Sequence, residues 1–192
     1  MKKYKLLKKD TIKIGSKTLF RIQATVSFGS VVKGELGGYI ESEKNLEQMS
    51  GDAWVSGDAQ VYGDAWVHGD AQVSDNARVY GNARVYGNAW VSGDARVYGN
   101  AQVSGDARVS DNARVSGNAR VSAKASFTAG WFIGGDDSEK ITEITEETGS
   151  NFWKTQYVLG DYKIEPIEDE VSISGKEIEV IIDGKSYKAV VK

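Results

Sequence analysis

From Gly51 to Ser122 the chain repeats itself every six residues without a gap. Written in sixes it reads GDAWVS, GDAQVY, GDAWVH, GDAQVS, DNARVY, GNARVY, GNAWVS, GDARVY, GNAQVS, GDARVS, DNARVS, GNARVS. The third residue is Ala in every copy from Ala53 to Ala119, and the fifth is Val in every copy from Val55 to Val121. The second is Asp or Asn throughout, and the first is Gly except at Asp75 and Asp111. A decayed thirteenth copy, AKASFT, occupies 123–128. A strict short period confines the fold to architectures in which each unit stacks on its neighbours.

The unit itself is simple. In A-x-V the Ala and Val lie two apart, so on an extended segment they point to one side. That side never varies and is therefore the buried one. The x position and the residue after Val vary among Trp, Gln, Arg, Ser, Tyr and His, as a solvent-facing side would. The Gly-Asp/Asn pair is a turn signal, because Gly accepts a positive φ and Asn or Asp tolerate it best among the rest. Each hexad thus predicts one short strand and one corner. A lone strand of this kind cannot bury its inner face, so successive hexads must coil and stack through parallel backbone hydrogen bonds.

An aliphatic residue followed four positions later by a small one, as in Val61 and Ala65, is repeated over the whole segment. In this the chain resembles the hexapeptide-repeat left-handed parallel β-helix proteins. The resemblance implies an all-β fold with three hexads per coil, a triangular prism filled by Val, and a left-handed coil. The run GELGGYIESEKNL ahead of the repeats also resembles the YdcK-like repeat group, borne largely by phages and prophages.

The flanks are out of register. Residues 1–50 predict an N-terminal β cap. Ile12 and Ile14 alternate before Gly15-Ser16, and Phe20 and Ile22 alternate after it, as in a hairpin. Ile40 and Leu46, six apart, predict a degenerate first coil. A cap is needed because an open stack exposes apolar surface and unpaired strand edges. With 51–128 as the β-helix, residues 129–192 form a C-terminal β-rich cap or domain. In it GWFIGGDDSEK predicts a glycine-rich turn, residues 141–159 have room for a short helix, and Val180–Ile182 and Tyr187–Val191 flank Asp183-Gly184 as a terminal hairpin.

Catalysis finds little support. There is no Cys, so disulfides, thiolate nucleophiles and cysteine-based zinc sites are excluded. The single His68 excludes a site needing several imidazoles. Many β-helices of the resembled family are acyltransferases with a histidine base and a loop that leaves the coils. Here no insertion interrupts the hexads, and His68 occupies a slot filled elsewhere by Tyr62, Tyr80 and Tyr86. Asp70, two residues on, is an ordinary corner residue. Gly134-Gly135 and Asp136-Asp137 lack the context of a phosphate loop or an oxygen-ligand cation site. No catalytic residue, metal or cofactor is expected.

Three hexads per coil would place residues eighteen apart in outward columns. The first face then carries Gln60, Arg78, Arg96 and Arg114 beside Tyr62, Tyr80, Tyr98 and Ser116. The second carries Trp66, Arg84, Gln102 and Arg120 beside His68, Tyr86, Ser104 and Ser122, and the third Trp54, Gln72, Trp90 and Arg108 beside four serines. Only the first holds a continuous Arg/Tyr ladder. It has two readings. Arg78, Arg96, Arg114, Tyr62, Tyr80 and Tyr98 form a binding face, since Arg and Tyr dominate interface hot spots. Otherwise Arg packs on Tyr along the ladder, with the corner Asp and Asn residues offsetting its charge.

Net charge is −3, and the hexads hold eight Asp against six Arg. Nucleic acid and membranes are therefore disfavoured as partners. The Asp cluster toward 52–70 and the Arg toward 84–120, a gradient that would let two copies align antiparallel as a homo-oligomer. Charges at Lys8, Lys9 and Asp10 interrupt any signal-peptide core, and no run of apolar residues is long enough to span a bilayer, so a cytoplasmic location is expected. The functional expectation is a non-catalytic scaffold or protein-binding module. From the resemblance it is phage-associated, with a counter-defence inhibitor, for instance of a CRISPR effector, as one form. An acyltransferase-like enzyme and a self-assembling virion element are the alternatives.

Overall fold

The computed structural model describes residues 2–128, 130–134, 143–144, 177–182 and 185–190. Among these the chain is all-β, with one 3₁₀ turn at Glu43–Asn45 as its only helical element. The hexads form a parallel solenoid. Strands eighteen residues apart pair in register, as Trp54 with Gln72, Gln60 with Arg78, and Trp66 with Arg84. Three hexads therefore complete one coil, and the prism has three sheet faces.

Local structure follows the repeat. Most of the x and Val positions form two-residue strands, and the corner glycines have φ between +61° and +72° from Gly51 to Gly117. Asp75 and Asp111 take the same left-handed conformation, at φ +60° and +52°. Backbone N–H groups donate to carbonyls seventeen residues on, for example Arg78 to Ala95 at 2.9 Å and Tyr80 to Val97 at 3.0 Å. Inside, every Ala and Val of the hexads is at most 1% exposed, in one continuous core with Ile40, Leu46, Phe127 and Phe132. Full burial of each Val stabilises by roughly 1.5–3 kcal/mol, so the uniform interior is what holds the coils together.

The N-terminal cap is as the alternation implied, with β1 longer. β1 (Tyr4–Ile14) and β2 (Lys17–Ala24) are antiparallel around the Gly15-Ser16 turn. β3 (Leu36–Ile40) pairs antiparallel with β2 and parallel with the strand at Gln60–Val61. The cap thus extends the first face, and its Tyr4, Ile22, Ala24 and Val31 join the solenoid core. Gly37 and Gly38 permit the approach, since a Cβ on Gly37 would lie 2.5 Å from the Val55 carbonyl oxygen and one on Gly38 2.6 Å from that of Ala59. Ile40 pairs with Val61 and Leu46 bridges to Val67, so the degenerate first coil is real.

Two expectations change. Trp54, assigned to the outward third column, is 2% exposed. The cap folds over it, with Phe28 edge-on at 5.5 Å and Tyr4 at 6.4 Å. And the expected turn in GWFIGGDDSEK begins as a strand. Trp131–Gly134 lies parallel to Arg114–Gly117, with Phe132 level with Val115, in the buried column. Ser126–Phe127 of the decayed copy pairs with Arg108–Val109, and stacking runs past Thr128, as Glu143–Ile144 pairs with Arg120–Val121.

Glu177–Ile182 and Lys185–Val190 pair antiparallel as the expected terminal hairpin. Its Asp183-Gly184 turn lies outside the described residues. So do the Gly135-Asp136-Asp137 segment and the helix considered within 141–159, where Glu143–Ile144 is a strand.

Candidate interaction face

The first face unites the six residues singled out from the repeat. Parallel pairing aligns Gln60, Arg78, Arg96 and Arg114 in one column. The cap adds Tyr39 at one end and the C-terminal strand adds Trp131 at the other. Beside this column Tyr62, Tyr80 and Tyr98 stack face to face, with centroids 5.0 Å apart and planes within 3°. The stack ends at Ser116, which is buried and pairs with Ile133 of the neighbouring strand.

Trp131 was not legible as part of this face. It lies seventeen residues after Arg114 instead of eighteen, and it sits in a glycine-rich run that reads as a turn. The available signal was Phe132, an apolar residue one step further that continues the Val column. In the structure Trp131 is 47% exposed and the Arg114 guanidinium lies 4.8 Å from its ring centroid.

The guanidiniums line a shallow groove of about 370 Å³ between the Arg column and the corner column, bounded by Gln60, Asn76, Arg78, Asp94, Arg96, Asn112 and Arg114. Lateral packing would require Arg over Tyr rings or Arg paired with corner carboxylates. Among the described residues Arg78, Arg96 and Arg114 make neither contact, because the tyrosines beside them stack on one another and the salt bridges all involve cations of the cap. The Tyr62 and Tyr80 phenols are held neutral at ordinary pH. Burial raises Tyr62, against the pull of Arg78 and Arg96, and burial followed by the neighbouring phenols raises Tyr80.

The charge gradient along the prism is altered by the cap. Asp64 accepts from Lys44 at 2.7 Å, and Asp58 from Arg21 at 3.2 Å. Arg21 also meets Asp10 at 3.1 Å, donates to the Tyr39 hydroxyl at 2.7 Å and covers that ring at 4.4 Å. Two of the four N-terminal Asp are thereby matched by cap cations. The Arg column further along has no such partner among the described residues.

His68 stacks on Trp66 with ring centroids 3.9 Å apart and on Tyr86 at 5.1 Å. Burial lowers its pKa, with Glu47 opposing and Arg84 assisting. No hydrogen bond orients its imidazole as a base would need among the described residues. There too, no three potential ligands gather as a metal site, and no helix is long and apolar enough to cross a membrane.

Five overlapping stretches, 71–87, 77–93, 89–105, 101–115 and 113–126, match a sequence family described as YdcK Beta solenoid repeat. None of the curated proteins matches the chain significantly.

Proposed function

Starting from a repeat β-helix protein of the YdcK-like group, we propose a non-catalytic scaffold that presents its first face to a protein partner. One observation carries this reading. Arg78 and Arg96 stand in an outward column with no carboxylate and no aromatic ring engaged among the described residues, flanked by a rigid tyrosine stack. Leaving like charges about 4.8 Å apart unpaired is costly, and a partner that supplies counter-charge would recover that cost. Arg, Tyr and Trp are also the residue types that concentrate binding energy at interfaces.

In its narrower form the reading places the chain in the host cytoplasm as a phage-borne inhibitor of a defence complex, with a CRISPR effector as one such target. That form rests on the resemblance alone. The stacked His68 and the hexads without an inserted loop weigh against an acyltransferase.

The test is affinity purification of the tagged chain from producing host cells. It is run beside Arg78→Ala/Arg96→Ala/Arg114→Ala and beside a third-face control, Gln72→Ala/Trp90→Ala/Arg108→Ala. A protein retained by the parent and the control but lost by the first-face variant supports the proposal, provided all three give the same circular dichroism. Equal recovery by all three rejects the face.

A further inference from the structure

We propose that the first-face groove receives an extended acidic segment of the partner, with two carboxylates at alternate positions and an apolar side chain two residues beyond. This rests on the reading of the first face as the binding surface and names what it binds.

Charge is the first argument. Three guanidiniums line the groove against one carboxylate, Asp94. The cap cation Arg21 is committed to Asp10, Asp58 and Tyr39. Cap cations match Asp58 and Asp64 at the N-terminal end of the solenoid, which halves the charge those four Asp of a second copy would offer in antiparallel alignment. On this face the positive charge unmatched by carboxylates lies at Arg78, Arg96 and Arg114, the three Arg that stand in consecutive coils.

Spacing is the second. Coils repeat about every 4.8 Å, so the midpoint of Arg96 and Arg114 lies about 7 Å from Arg78, and Trp131 about 14 Å from it. An extended peptide running along the prism advances about 3.3 Å per residue. Side chains at positions i, i+2 and i+4 share one face and fall at roughly 0, 7 and 13 Å. One carboxylate therefore meets Arg78, the next bridges Arg96 and Arg114, and an apolar side chain reaches the exposed ring of Trp131. The third coincidence involves a different kind of residue from the first two, and among the described residues the column ends there.

A single nucleic-acid strand fits less well. Its bases need open aromatic faces. Those of Tyr80 are covered by Tyr62 and Tyr98, and Arg114 lies over Trp131. Three cations and one carboxylate are also few for a phosphate backbone.

The experiment measures fluorescence anisotropy of labelled peptides with the full chain at low salt. The probe is Ser-Glu-Ser-Glu-Ser-Phe-Ser. Its comparators are the same peptide with Gln for Glu, a permuted Ser-Glu-Glu-Ser-Ser-Phe-Ser, and a short single-stranded oligonucleotide. The probe should bind at least tenfold more tightly than each comparator, and added salt should weaken it. Arg78→Gln/Arg96→Gln should weaken it at least tenfold, and Trp131→Ala severalfold, while Arg84→Gln/Arg120→Gln on the second face leaves it unchanged. Equal binding of the Gln or permuted peptide overturns the proposal, as does tighter binding of the oligonucleotide or indifference to the Arg78/Arg96 pair. If a partner retained through the first face is not displaced by the probe, the acidic-segment assignment fails while the face stands. If first-face substitutions never affect partner retention, the face itself fails.

Discussion

Corner glycines separate two effects that the repeat superposes, a left-handed backbone and a close approach between coils. Gly15, in the β1–β2 turn, has φ +57° and nothing within 4 Å of where a Cβ would stand. Gly93 has φ +64°, and a Cβ there would lie 2.7 Å from the Asp111 nitrogen and 2.9 Å from its Cα, one coil on. Gly15→Ala therefore meets only the dihedral penalty, about 1–2 kcal/mol, less about 0.4–1 kcal/mol from a stiffer unfolded chain. Its net cost is about 1 kcal/mol. Gly93→Ala adds an overpacked contact against backbone, typically about 1–3 kcal/mol, for a total of roughly 2–4 kcal/mol. At about 2–4 °C per kcal/mol for a chain of this size, Tm should fall by a few degrees in the first variant and by at least twice as much in the second. Gly93→Asn should recover part of the loss, because Asn accepts the left-handed region and Asp75 already occupies the equivalent slot, accepting from the Gly93 N–H at 3.0 Å. Thermal melts followed by far-ultraviolet circular dichroism decide it. Equal losses in Gly15→Ala and Gly93→Ala would refute the claim that the corners are fixed by inter-coil contact.

Three further outcomes follow from particular side chains. Val91→Ala should destabilise by about 2–3 kcal/mol through lost burial and a residual cavity, while Val32→Ala, at a position 64% exposed, should stay within about 0.5 kcal/mol; urea titration compares them. Tyr4→Phe removes donations to the Leu46 and Glu43 carbonyls at 2.7 and 3.2 Å and should cost about 1–3 kcal/mol by leaving a buried acceptor unmet, with Tm as the readout. The folded pKa of His68 is depressed below its ordinary 6.5, chiefly by burial. The unfolded chain therefore binds the proton first, so this contribution is intact above 6.5 and is lost as pH falls from there through the folded value. His68→Tyr should flatten that part of the Tm–pH profile, and an unchanged slope would contradict it.

The sequence was legible wherever the period was strict. Ala and Val at fixed offsets define an inside, and pairing at eighteen residues then orders Arg78, Arg96 and Arg114 in one column. Legibility failed where the outward position stopped being outward. Trp54 has the same local context as Trp66 and Trp90, yet it is buried because Tyr4 and Phe28 lie over it. That contact joins residues far apart in the chain, and nothing in the hexad encodes it. Trp131 failed for a different reason. Its strand is out of register by one residue, and the Gly around it is a turn signal in isolation but in the stack gives room for close packing, since a Cβ on Gly134 would lie 2.3 Å from the Ala119 nitrogen. The contacts within the ladder were also beyond the pattern. Arg and Tyr share a face, but whether Arg lies on Tyr or Tyr on Tyr depends on side-chain directions that parallel register alone does not set.

The repeat also explains why this protein's specificity must reside outside its core. Every hexad contributes the same Ala and Val to the interior, so beyond the first, whose Trp54 is buried under the cap, hexads are interchangeable for packing within the prism. Only the x position and the residue after Val carry individual information, and stacking converts that information into columns with a fixed spacing. On the second face Arg84 and Arg120 are separated by Gln102, and on the third Arg108 stands next to Trp90. Only on the first do three Arg run consecutively, and there the tyrosines beside them engage each other instead. Since interior packing is equally satisfied by any order of x residues, fold stability does not account for that run. The partner-binding role proposed for this face would account for it, and the same backbone register that builds the core spaces the three guanidiniums.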